Sequence, residues 1–194
     1  MRRGAERIVE RFPEALKSEI YVVSFSIWRV DYDPRRPYVD IGYNTESQVR
    51  RVMESECSYE GAARWEYAYW ILDGFEAIGC IPSDPVGSEL FAEHAMRKGI
   101  WYEGEADPLE LMPAEGAGEG EPGTLYERLV LDFAEECIDV ACSLHADGRL
   151  AAALGREVPI VVFDMDQPGW EVEATERANP PGLIADFVDH VNEL

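Results

Sequence analysis

The stretch IYVVSFSIWRVDYD, residues 20–33, decides the fold. Tyr21, Val23, Phe25 and Ile27 alternate with Val22, Ser24, Ser26 and Trp28, which is the two-residue period of a strand with side chains on two faces. The first set is the more apolar, so one face of this strand is expected to be buried more completely than the other. Immediately downstream, DPRRP (33–37) carries turn chemistry and YVDIGYN (38–44) resumes a strand pattern. A tight turn between two strands makes them antiparallel neighbours. Upstream, Ile8, Val9, Phe12 and Leu16 fall at helical spacing and predict a helix over 5–17, with Pro13 placed to break or kink it.

Toward the C-terminus, Asn44 or Thr45 supplies the cap for a helix to about Cys57 that turns Val49, Val52 and Met53 inward. The block RWEYAYWILDGFEAIG (64–79) is ambiguous: Trp65, Tyr67 and Tyr69 alternate, while Tyr67, Trp70 and Ile71 fit a helix. It reads as a strand or an irregular extended run, either core or interface. GSELFAEHAMRKG (87–99) predicts a short helix closed by Gly99. Residues 101–123 then carry seven acids, no base and repeated Gly and Pro, the composition of a flexible acidic loop at about 103–123. Thr124 caps a helix to about His145, with Leu129, Val130, Phe133, Cys137, Val140, Ala141 and Leu144 on one face. A short helix at 149–155 follows. VPIVVFD (158–164) is an apolar run of strand length, read as a central strand, and a last helix begins at Pro181. Helices and strands mix without regular βαβ alternation. The expectation is an α+β fold with a largely antiparallel sheet packed with helices, residues 1–194 forming a single domain.

Charge is unevenly distributed. The net charge is −22; residues 1–64 hold 11 acids and 11 bases, and residues 65–194 hold 28 acids against 6 bases. Such a field repels nucleic acid and anionic membrane and attracts basic proteins. The plainer reading is solubility or a salty cytoplasm, since lysine occurs only at Lys17 and Lys98. No apolar run reaches the length of a membrane span or signal peptide, so a cytoplasmic location is expected. Cys57, Cys80, Cys137 and Cys142 are then expected as reduced thiols, mostly buried.

Catalytic motifs are scarce: GxGxxG, P-loop, GxSxG and HExxH patterns are absent. Asp164 and Asp166, after an apolar strand, resemble the first motif of haloacid-dehalogenase-like phosphatases, a resemblance that implies a magnesium-dependent hydrolase. Here, however, Gln167-Pro168-Gly169 follows the acids, and the motif lies late in the chain. Cys142 and His145 lie three apart on one helix, and read better as a core cysteine with a surface histidine than as a metal or nucleophile pair. No cofactor is expected. The acids Asp132, Glu135, Glu136 and Asp139 form a stripe opposite the apolar face of the 124–145 helix. With Glu103, Glu105 and Asp107 as auxiliary contacts and Trp101 as an apolar anchor, they make a docking surface for a basic protein.

The strand YVVSFSIWRVDYD, the segment YVDIGYNTES, the block RWEYAYWILDGFEAIG, the strand VPIVVFD and the terminal ANPPGLIADFV resemble an uncharacterised family of bacterial proteins, a domain of unknown function. Some members of that family resemble immunity proteins of polymorphic toxin systems. The resemblance implies an α+β fold and a non-enzymatic inhibitory role against a basic toxin domain. It carries no defined site residues onto this chain.

Overall fold

The alternation beginning at residue 20 forms β1 (Ile20–Arg29), and the DPRRP turn returns the chain as β2 (Pro37–Thr45), antiparallel, with Phe25 opposite Ile41 and Ile27 opposite Val39. A short β3 (Glu76–Gly79) pairs antiparallel with β2, and β4 (Ile160–Asp164) pairs parallel with β1, giving the order β3-β2-β1-β4. The computed structural model describes residues 1–71, 74–104, 124–166 and 169–192. Within these, the helices are α1 (Arg2–Glu10), α2 (Glu46–Ser55), α3 (Glu60–Trp65), α4 (Pro85–Lys98), α5 (Leu125–Ala146), α6 (Arg149–Leu154), α7 (Glu171–Ala178) and α8 (Ala185–Asn192). The architecture is α+β around a mixed, mostly antiparallel sheet.

Helices cover both faces of the sheet. On one, Phe25, Ile27, Ile41 and Val162 pack with Ile8 of α1, Phe133 and Leu144 of α5 and Leu150 of α6. On the other, Val22, Val161 and Phe163 pack with Val52 of α2, Trp65 of α3 and Phe187 of α8. Each such side chain, fully buried, contributes about 1.5–3 kcal/mol against chain entropy.

Several elements differ from the sequence reading for identifiable reasons. The first helix ends at Glu10 rather than 17, because the residue before Pro13 is disfavoured in helical conformation; Phe12 is still buried, from a turn. A bulge between Ile20 and Val22 shifts the register of β1. Tyr21 therefore joins Val22 in the second core instead of sharing a face with Val23, Phe25 and Ile27. Its hydroxyl is held by Asn44 Nδ2 (2.9 Å) and donates to the Arg64 carbonyl (2.5 Å), and burial pushes its pKa up. The 64–79 block splits into the end of α3, a 3-10 turn at Tyr67–Tyr69 and β3. Trp65 and Trp70 are core, whereas Tyr67 is exposed, as is Met53 on α2.

β4 is an edge strand, not a central one. It reads as central because both its faces are buried, Ile160 and Val162 in one core and Val161 and Phe163 in the other; its outer edge is closed by side chains of α7 and the residue after it. Asn179 Oδ1 accepts from Ile160 N (2.8 Å), Asn179 Nδ2 donates to Ile160 O (2.7 Å), and Thr175 Oγ1 accepts from Val162 N (3.1 Å). The amide of Asn179 thus replaces a neighbouring strand, and the edge is not left open for pairing with another chain.

Candidate functional site

The longest helix among the described residues, α5, begins with a capping box: Thr124 Oγ1 accepts from Glu127 N (3.0 Å) and Glu127 Oε2 accepts from Thr124 N (3.0 Å), satisfying two otherwise orphaned donors. Its apolar face is buried as its period requires, from Leu129 to Leu144. The four acids opposite do not form one stripe. They divide into two rows with helical i,i+4 spacing, each facing a different neighbour.

Asp132 and Glu136 look toward α4 and line a cleft between α1, α4 and α5. Asp132 is largely enclosed: its Oδ2 lies 2.8 Å from His94 Nε2, and Oδ1 accepts from Lys98 Nζ. Glu135 and Asp139 look toward α7. Glu135 receives a two-pronged bond from the Arg177 guanidinium, through Nη1 (2.7 Å) and Nη2. That contact holds the Glu135 carboxyl below the usual glutamate range. Arg177 also feels Glu173 and Asp139. One carboxylate thus neutralises Arg177, Asp139 and Glu173 remain exposed beside the pair on α5 and α7, and the face keeps a negative excess.

Glu173 and Arg177 escaped the sequence reading, which assigned no element to residues 170–178. The signal was present: Ala174 and Ala178 are four apart and buried, and Glu173 and Arg177 are four apart and exposed, the pattern of a short amphipathic helix.

The auxiliary residues lie elsewhere. Trp101 is half-buried, packs beside Ala95, Ile100 and Leu129, and donates Nε1–H to Glu103 (3.0 Å). The neighbouring backbone docks on the β1–β2 turn, where Arg35 donates to the Gly104 carbonyl (2.6 Å) and lies over the Tyr102 ring. Trp101 is thus partly committed to packing within the chain. Glu105 and Asp107 lie outside the described residues.

Asp164 and Asp166 converge on Arg29. The parallel register places Asp164 opposite Ile27, so the C-terminal ends of β1 and β4 bring Arg29 alongside it. Arg29 donates to Asp164 Oδ1 (2.8 Å) and Oδ2 (2.5 Å) and to Asp166 Oδ2 (3.3 Å), with side-chain exposures of 1%, 0% and 9%. A fork-on-carboxylate pair of this kind occupies both oxygens. The nucleophile role of the phosphatase-like motif requires a free Asp164 carboxylate, which this arrangement does not offer. Among the described residues, no group of three or more His, Cys, Asp or Glu is placed to hold a metal ion.

The Cys142–His145 pair is also resolved differently from the sequence reading. His145 is buried, with Nδ1 at 2.9 Å from Glu157 and Nε2 at 3.1 Å from Asn179 Oδ1, so it supports the amide that closes β4. Cys142 is the partly exposed member; its thiol donates to the Arg177 carbonyl (3.0 Å), and burial raises its pKa. His190 on α8 is buried, its ring against Tyr59.

No protein-family model, curated protein or solved structure matches this chain. Among the described residues, no helix is long and apolar enough to cross a membrane.

Proposed function

We propose that this chain is a non-enzymatic binding protein that holds a basic protein partner on the acidic face of α5 and α7, acting in the cytoplasm in the manner of an immunity protein that neutralises a basic toxin domain. One observation carries the reading: Glu135 is paired with Arg177 across α5 and α7, while Asp139 and Glu173, one helical turn from each partner, stay exposed beside that pair. Two helices place these carboxylates on one face, so a lysine- or arginine-rich surface meets charge that is already gathered there. Preorganised charge of this sign accelerates encounter with a basic partner, and the advantage falls with salt. The excess of acids over bases in residues 65–194 extends the same field, which disfavours nucleic acid and anionic membrane as partners.

The test compares columns carrying the wild-type chain and the Asp139→Lys/Glu173→Lys variant, loaded with the same host lysate. Both positions are exposed, so the substitutions leave the core intact, whereas reversing Asp132 would set a lysine against Lys98. The expected result is a basic protein retained by the wild type, released by rising salt and not retained by the variant. Equal retention by both columns would remove the face from the account.

A further inference from the structure

The cleft bounded by α1, α4, α5 and β3 has a volume of about 700 Å3, within the range of small-molecule sites. Its apolar lining includes Ile78, Phe91 and Phe133, and along α4 Val86 and Leu90 remain 60% and 56% exposed. Apolar surface left open in a concave site marks a place where a ligand removes it from water.

The charges in this cleft run against the rest of the molecule. Four arginines line it, at 2, 3, 7 and 97, against Asp84, Asp132 and Glu136, in a chain of net charge −22. Two of the three carboxylates are already engaged. Asp84 caps α4, accepting from Gly87 N (3.0 Å) and Gly79 N (3.1 Å), and Asp132 is held by His94 and Lys98. Two of the arginines are engaged as well, Arg2 with Glu6 and Asp147 and Arg7 with Glu76. Arg3 and Arg97 make no ion pair with any described residue. An apolar trough lined by two arginines without ion pairs to described residues suits an amphiphilic anion, because guanidinium matches the planar geometry of a carboxylate.

We propose that this cleft binds a long-chain carboxylate, its hydrocarbon tail against Leu90, Phe91 and Ile78 and its carboxylate on Arg3 and Arg97. The site is separate from the α5–α7 face, and its ligand is a small amphiphilic anion, not a protein.

The test is calorimetric titration of the full chain with decanoate below its micellar concentration, with hydrogen exchange as a second readout. The expected result is one decanoate per chain, new protection on α1 and α4, and weaker binding of hexanoate. Arg3→Gln/Arg97→Gln and Leu90→Asn should each weaken decanoate at least ten-fold; all three side chains are on exposed residues, and circular dichroism verifies that the fold is retained. Absence of saturable binding would overturn the proposal. So would several molecules per chain with equal affinity for wild type and variants, or protection on α2 and α3 instead.

Discussion

Arg29 and Asp164 are buried opposite charges that meet at the C-terminal ends of β1 and β4. In the sequence, an aspartate at the end of an apolar strand is a catalytic candidate, because Arg29 is 135 positions away. The parallel register alone brings the two together, and no local pattern announces it. The pair then has a folding role: two buried charges tolerate the interior only while each has the other. Asp164→Asn should lower the unfolding free energy by about 3 kcal/mol or more, leaving Arg29 uncompensated, whereas Arg29→Met/Asp164→Leu should recover much of that loss. Urea denaturation of the two variants measures both, and an Asp164→Asn chain as stable as wild type would contradict the assignment. The thiols separate by burial in the same way. Burial pushes Cys80 up to about 11 and raises Cys137 well above the ordinary thiol value. Both should remain unmodified when the native protein is treated with iodoacetamide at pH 8 and the adducts are mapped by mass spectrometry.

Elements were legible where period and punctuation agree. The β1–β2 hairpin, a helix cap at Asn44 or Thr45 (Thr45 is the one used), the Thr124 cap and the buried face of α5 follow from alternation, turn residues and capping side chains in the chain itself. Illegible were features settled by contacts distant in sequence: the bulge that redirects Tyr21 and the edge position of β4. The acids of α5 lie off its buried face, but their division into two rows depends on which helices lie on either side. β4 supplies the clearest test at this scale. Asn179→Ala removes the amide that satisfies both backbone groups of Ile160 and leaves them exposed to solvent or unpaired, a loss of about 1–3 kcal/mol. The melting temperature should fall, and exchange of the Ile160 amide should quicken. Unchanged exchange at Ile160 would show that the edge is closed by something else.

For the whole molecule, charge dominates. With 39 acids against 17 bases, self-repulsion opposes the folded state at neutral pH, and screening relieves it. The melting temperature at pH 7 should therefore rise between low salt and about 0.5 M salt, where the Debye length is only several ångströms. Scanning fluorimetry reads this, and a fall would mean that ion pairs outweigh repulsion. Acid acts through specific partners. The Arg64 hydrogen bond holds Glu46 below the usual glutamate range, and Arg177 does the same for Glu135. A carboxyl with a depressed folded pKa contributes stability that is complete above the unfolded value, about 4.3, and lost as pH falls through the lower folded value. Stability should therefore drop below about pH 4, and Arg64→Gln should flatten that drop.

The same excess of acids is the basis for the proposed partner, and the place where the partner binds is the claim most open to direct measurement. Zero-length carbodiimide cross-linking of the captured complex, mapped by mass spectrometry, joins carboxylates of this chain to partner lysines in contact with them. Cross-links concentrated at Glu135, Asp139 and Glu173 are the predicted result. Cross-links confined to acids of α1, α2 or α3, with the α5–α7 face unmodified, would contradict it.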